Sequence, residues 1–415
     1  MIWWFALAFA IAAAAASRPV TVRWYAPFLA DSGFGSEATS FVEALLSLPS
    51  PLSGDGLQAV NFAEPAQFPP PSSISALFQP FASSPSCLVA ICHSTPNFWA
   101  TPRSDYPSWD RAARCPPIPR DSNQQVVKIG RSMFETDSLP VDWKSRLDFM
   151  DEIWVPTKFA QQVYVKAGLS QHKVVVVPEP INTLVFSHRH CGVRVNAPPF
   201  TILSIFKWEE RKAWKQLLEA FLNEFSLDEP VLLWIKTSSF HLPRSPQVLA
   251  QEVFPQLLTT RRHQVRFTID TRVDEETLVR DFYCQADAFA LPSLGEGWGR
   301  PHCEAASMSL PVLYTNFSGP TEFLLPGMGF PVAFDLVEVG PHLPGHRWAM
   351  PQLSSLRKQL RNMYSMPPNE LKLVGSLAAA HIHSTYSQRI VGELVVKLVN
   401  RLCPSSSLES SSLEL

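Results

Sequence analysis

Glu296 and Glu304 stand with seven residues between them in the run Leu291-Pro-Ser-Leu-Gly-Glu296-Gly-Trp-Gly-Arg-Pro-His-Cys-Glu304-Ala-Ala-Ser. One carboxylate lies in a glycine-punctuated loop and the other in the first turns of the helix that follows. Both can therefore point into one cleft and accept hydrogen bonds from hydroxyl groups. Gly295, Gly297 and Gly299 let the backbone turn sharply and come close to a ligand, and Pro301 suits a first helical turn. Amides exposed at that helix start favour a phosphate or a polarised sugar hydroxyl. The competing reading of Glu304 is a carboxylate that only stabilises the helix dipole. Lys207, Arg211 and Lys212 precede another helical pattern. Cations at a helix N-terminus oppose its dipole, so an anionic partner would account for them, a solvated helix start being the alternative. In the first half, Asp31-Ser-Gly33-Phe-Gly35-Ser lies between a strand and a helix expected near Glu37, and reads as a glycine loop or a simple turn. His93 closes a strand in Cys92-His93-Ser-Thr-Pro, where an imidazole would face a crevice, although a lone histidine is more often structural.

These residues need a frame. From Val20, short β-rich runs alternate with helical periods, the pattern of βαβ units and a parallel sheet. Strands are predicted over Thr21–Tyr25, Leu88–Cys92, Val126–Ile129, Glu152–Val155 and Lys173–Val177, with helices over Ser36–Leu48, Val141–Met150 and Lys158–Ala167. The pattern breaks between Cys191 and Pro199. A second series has strands at Phe200–Phe206, Val231–Lys236, Val265–Ile269, Ala288–Leu291 and Pro311–Tyr314. Its helices are Lys212–Phe225, Gln247–Leu258, Asp274–Gln285 and Arg300–Met308. Two doubly wound α/β domains would place a ligand between them, at the carboxyl ends of the strands. We divide the chain at 18–195 and 196–385, with a helix over 386–403 and a Ser-rich, disordered tail over 404–415.

With 46% hydrophobic and 17% charged residues in 415, the chain can bury large cores and is not disordered throughout. Its 35 basic and 37 acidic residues give a net charge of -2, no field to gather nucleic acid. Prolines number 38 against 17 glycines, and 14 of them fall between Pro49 and Pro119, which reads as an inserted stretch over 49–119. Trp99, Tyr106 and Trp109 in it offer flat surfaces for a sugar. Residues 1–17 read as a signal peptide, or as an uncleaved anchor through 1–16. That implies the secretory route, with the cytoplasm as the alternative. Seven cysteines without a CxxC pair yield neither a zinc site nor a disulfide framework, and an odd count leaves a free thiol. Asn316-Phe317-Ser318 is the one glycosylation sequon, and its site-like neighbours favour an unmodified Asn.

The run from Glu296 to Glu304 resembles the E-x7-E motif of family 4 glycosyltransferases, the group 1 enzymes of GT-B fold. Asn316-Phe-Ser-Gly-Pro-Thr-Glu-Phe is similar to that family's glycine-rich turn, and Phe206-Lys-Trp-Glu-Glu-Arg-Lys212-Ala-Trp-Lys-Gln-Leu-Leu-Glu-Ala to its diphosphate-binding loop and helix. Ile129-Gly-Arg-Ser-Met-Phe-Glu-Thr-Asp and Glu152-Ile-Trp-Val-Pro-Thr-Lys-Phe match one of its branches. The resemblance runs from residue 20 to the region of residue 395. It implies two Rossmann-like domains facing a central cleft, the first on the acceptor side and the second holding a nucleotide-sugar donor. By the same resemblance, Glu304 binds ribose hydroxyls, and Glu296 with the amides of Gly297, Trp298 and Gly299 holds the donor sugar. Lys207 or Lys212, with Arg211, neutralises the leaving diphosphate. Gly33 and Gly35 close over the donor, His93 is an acceptor-side catalytic residue and Glu135 an acceptor contact. Many members place Arg six residues before the loop Lys, where Phe206 stands here beside Lys207, and Ala213 replaces a common Gly.

The implied reaction is transfer with retention, without a catalytic metal or cofactor, to a glycan, protein or lipid acceptor. No DxD pattern occurs. Front-face departure, in which the leaving phosphate helps deprotonate the acceptor, is favoured over a carboxylate nucleophile. The alternative is a non-catalytic nucleotide-sugar or glycan-binding protein on the same frame.

Overall fold

A computed structural model describes residues 20–49, 56–79, 85, 87–101, 114–119, 122–192, 199–238, 244–269 and 273–403. The leader or anchor over 1–17, Tyr106, Trp109 and the tail over 404–415 lie outside the described residues. The chain forms two compact units. One comprises Met1–Ser132, Asp142–Trp154 and Val391–Leu415, the other Met133–Val141 and Val155–Ile390.

The first half alternates β1 (Thr21–Ala26), α1 (Gly33–Leu46), β2 (Leu57–Asn61), β3 (Cys87–His93), β4 (Gln125–Arg131), α2 (Lys144–Phe149), β5 (Glu152–Val155), α3 (Lys158–Lys166) and β6 (Val174–Val176). Its six-stranded sheet has the order β2-β1-β3-β4-β5-β6, and the registered pairs are parallel. β3 and β5 are buried along nearly their whole length, which is why they read as continuous apolar runs. Two features depart from expectation here. The proline-rich stretch read as an insertion over 49–119 also supplies an unexpected strand where it is described, β2, which pairs with β1 at the sheet edge. α1 begins at Gly33, not near Glu37: Ser32 caps it through a bond from the Gly35 amide, so both glycines lie in its first turn.

The second half comprises β7 (Phe200–Lys207), α4 (Trp214–Glu224), β8 (Val231–Ser238), α5 (Pro246–Val253), β9 (Val265–Ile269), α6 (Glu275–Asp281), β10 (Ala288–Leu291), α7 (Arg300–Ser307), β11 (Val312–Thr315) and β12 (Phe330–Val332). A hairpin of β13 (Phe334–Glu338) and β14 (Arg347–Pro351) follows, then α8 (Leu353–Ser365), α9 (Pro368–Thr385) and α10 (Gln388–Leu402). The sheet order is β12-β11-β10-β7-β8-β9. α4 shows how sequence makes the core: Trp214, Leu217, Leu218, Phe221 and Leu222 recur at helical spacing and are buried. Among the described residues no helix is long and apolar enough to cross a membrane.

Three disulfides, Cys87–Cys403, Cys92–Cys115 and Cys191–Cys284, correct the reading that no framework exists. Cys303 is the buried free thiol that the odd count requires. Trp99 is also corrected as a sugar platform. It is buried, it donates to Ser94 Oγ at 3.1 Å, and its ring lies where a side chain at position 130 would begin.

Candidate active site

The loop between β10 and α7 carries the site of the second unit. β10 is wholly buried and ends the loop's rigid side, and Gly299 starts α7 from a left-handed conformation, φ +100°, that favours glycine. Gly295 is needed for space, since a Cβ there would lie 2.0 Å from the Glu135 carbonyl oxygen. Gly297 faces the Met133 side chain, and Trp298 is buried against Phe323 and Tyr386.

Glu296 is the centre. Its Oε1 accepts from Lys212 Nζ at 2.7 Å and its Oε2 from Arg211 Nη1 at 2.9 Å. Arg211 also donates to the Gly295 carbonyl at 2.7 Å and faces Glu135 at 3.6 Å and Glu209 at 3.5 Å. Burial would raise the Glu296 pKa, but Lys212 and Arg211 outweigh it and hold the carboxyl far below the usual range. Arg211 is burdened by burial, yet Glu135 and Glu296 push its pKa up. Burial and the adjacent Arg211 lower that of Lys212. The loop's backbone is fixed as well: the Glu296 amide donates to Ser318 Oγ at 3.0 Å and the Gly319 amide to the Glu296 carbonyl at 3.0 Å. Ser318, φ +57°, and Ala213, φ +52°, both hold left-handed backbone, where a non-glycine residue is strained.

Glu304, on α7, accepts from the Tyr283 hydroxyl at 2.8 Å and lies 3.9 Å from Arg300. Burial raises its pKa. Of the other expected residues, Lys207 ends β7 opposite Ser238, so Arg211 and Lys212 are the cations gathered on Glu296. Glu135, expected as an acceptor contact, sits beside Arg211. It is brought there by a segment that sequence reasoning missed as an element of this unit. Asp137 binds Arg347 of β14 at 2.8 Å, and Thr136 Oγ1 lies 2.8 Å from His346 Nδ1. β14 in turn supports the loop, its Ala349 amide donating to the Leu294 carbonyl at 2.8 Å.

His93, Gly33 and Gly35 belong to the first unit. His93 is fully buried: Trp24 donates to its Nδ1 at 3.0 Å and its Nε2 faces Glu37 at 3.0 Å. Arg131 Nε donates to the same carboxylate at 2.8 Å. Burial lowers the His93 pKa, and Glu37 is brought down to about 2 because Arg131 and His93 outweigh its desolvation. Among the described residues no group of three His, Cys, Asp or Glu side chains is set to hold a metal ion.

Residues 199–338, which include this loop and the Arg211–Lys212 turn, match the family model described as "Glycosyl transferases group 1". This part of the chain is a group 1 glycosyltransferase domain. No curated protein sequence matches this chain. Its fold is GT-B, and solved structures share it at low identity. A glycosyltransferase from Rickettsia africae superposes with a TM-score of 0.63 at 13% identity, over 93% of this chain and 99% of that one. The Anabaena protein HepE, in complex with UDP and glucose, gives 0.62 at 12%, over 92% and 99%. Sucrose-phosphate synthase from Thermosynechococcus elongatus gives 0.62 at 14%, over 93% and 100%.

Proposed function

We propose that this glycosyltransferase moves a sugar, with retention, from a nucleotide-sugar donor to a glycan, protein or lipid acceptor without a catalytic metal. The observation that carries the reading is Glu296 held between Lys212 and Arg211 at 2.7 and 2.9 Å on a glycine-lined loop, with Glu304 on the helix that follows. Two cations already assembled can exchange a carboxylate for phosphate oxygens as negative charge develops on the leaving diphosphate. Glu296 and the amides beyond it then take the sugar hydroxyls, and Glu304 takes the vicinal diol of the ribose. The bond from the anomeric carbon to phosphate breaks as the bond to the acceptor oxygen forms on the same face, and the acceptor proton passes to the leaving phosphate. HepE binds UDP, which makes UDP-sugars the first donors to try.

Glu304→Ala abolishes donor binding in calorimetry while circular dichroism stays native; unchanged binding sinks the assignment. The donor is found by thermal stabilisation with a panel of nucleotide sugars, since ligand at about 100 times its Kd adds about 2.7 kcal/mol. We further propose passage through the secretory route, supported by three disulfides, which persist in oxidising compartments. Thiol counting on protein from its own cell, denatured without reductant, then labels Cys303 alone; seven labelled cysteines would place it in a reducing compartment.

A further inference from the structure

The two oxygens of Glu304 have different neighbours. Oε2 accepts from the Tyr283 hydroxyl at 2.8 Å, whereas Oε1 stands 3.9 Å from Arg300 Nε. Tyr283 is held by its own surroundings. It opens the short helical turn Tyr283–Gln285, it is 1% exposed, and its ring packs edge-on to Phe186 with centroids 6.1 Å apart. The next residue, Cys284, is tied to Cys191 by a disulfide.

We propose that Tyr283 is a positioning residue that occupies Oε2 of Glu304 and so presents Oε1 to the donor's vicinal diol; this rests on the donor-site reading of Glu304. A carboxylate that must meet two hydroxyls loses affinity if it can swivel, because the ordering is then taken from binding. The hydroxyl also bears on charge. Glu304 is mostly shielded, its side chain 12% exposed, and that desolvation favours its neutral form; Arg300 and the Tyr283 hydroxyl oppose it. Cys303 of the same helix feels the charges of both Glu304 and Glu179, and Glu179 stands 3.6 Å from Nη1 of the same Arg300. The Tyr283 phenol is itself pushed well above its ordinary range by burial and by Glu304, so it remains a donor at working pH. Without that hydroxyl the Glu304 pKa rises, and donor binding, which needs the carboxylate, fails at a higher pH.

The test compares Tyr283→Phe, which keeps the ring, with wild type and Glu304→Ala, using UDP as probe in calorimetry across a pH series. Expected for Tyr283→Phe is a Kd raised about tenfold, the scale of a hydrogen bond to a charged group. The acidic limb of binding moves to higher pH, while kcat at saturating donor stays near wild type. A purely structural tyrosine would not move that limb. Should the Phe variant not fold, 3,5-difluorotyrosine at 283 donates more strongly and moves the limb to lower pH. If Glu304→Ala still binds UDP, the donor-site reading fails. If it does not, and the Tyr283 variants bind as wild type with an unmoved limb, the positioning role alone is overturned.

Discussion

Each unit of the molecule buries one carboxylate between two nitrogen bases, and the two arrangements differ in what holds them. Glu37 sits in α1 with Arg131 Nε at 2.8 Å and His93 Nε2 at 3.0 Å, and all three side chains are wholly buried. Its partners end the neighbouring strands β3 and β4, whose residues His93 and Arg131 face each other in register. Glu296 has the same number of partners at similar distances, but it rides on a glycine loop, and its partner Arg211 is 17% exposed. Its neighbours Ala213 and Ser318 hold strained backbone. Regular elements lock the first cluster as a strut. The second is kept in place by irregular backbone, which costs stability; on the proposed function its cations exchange the carboxylate for the donor's phosphates.

The largest effect that separates the two is on stability. Glu37→Gln leaves Arg131 buried without its counter-charge and costs about 3–5 kcal/mol, read from denaturant unfolding. Its pH dependence has a definite sign. The Glu37 pKa is depressed from 4.5 to about 2, so its stabilisation is present above pH 4.5 and is lost as pH falls through about 2. The gap between wild type and Glu37→Gln therefore closes across that window, and a gap that widened on acidification would break the strut reading. Lys212→Met should do the reverse. Transfer falls about 10²–10³-fold, as for loss of one transition-state charge partner. The unfolding midpoint moves far less than in Glu37→Gln, because Arg211 still pairs with Glu296. If Lys212→Met unfolds the protein while keeping transfer per folded molecule, the clusters are of one kind.

Much of this was legible in the sequence, and the gaps have physical causes. The strands at Glu152–Val155, Val265–Ile269 and Ala288–Leu291 have the bounds expected of them, because such short runs carry their own apolar or β-branched signal. β2 is five residues at an edge inside a proline-rich stretch, and β13 is largely exposed, so neither shows a buried period. Cysteine pairs separated by 316, 23 and 93 residues follow from tertiary proximity, which spacing does not encode. The gathering of Glu296 and Lys212 was readable from motifs. The approach of Glu135 to Arg211 was not, because it depends on Met133–Val141 joining the second unit. Tyr283 lay unremarked inside the helix expected over Asp274–Gln285.

The smallest effect sharpens the comparison most, because one substitution should change sign between the regions. Ala213 has φ +52° and ψ +36°, between the 3-10 turn that carries Lys212 and the start of α4, and family members commonly have glycine there. A non-glycine residue in that conformation is penalised by about 1–2 kcal/mol. Glycine removes the penalty and gives back roughly 0.5–1 kcal/mol through its freer unfolded chain. Ala213→Gly is therefore expected to stabilise by up to about 1 kcal/mol, a rise of a few degrees at most in Tm. Ala38, beside Glu37 in the interior of α1, is wholly buried in ordinary helix. There the same change destabilises by about 1 kcal/mol from helix propensity alone, before the lost methyl contacts. Opposite signs in one thermal-unfolding series locate the strain at the second cluster. If both variants lose stability, the left-handed turn before α4 is relaxed in solution, and strain no longer distinguishes the site from the strut.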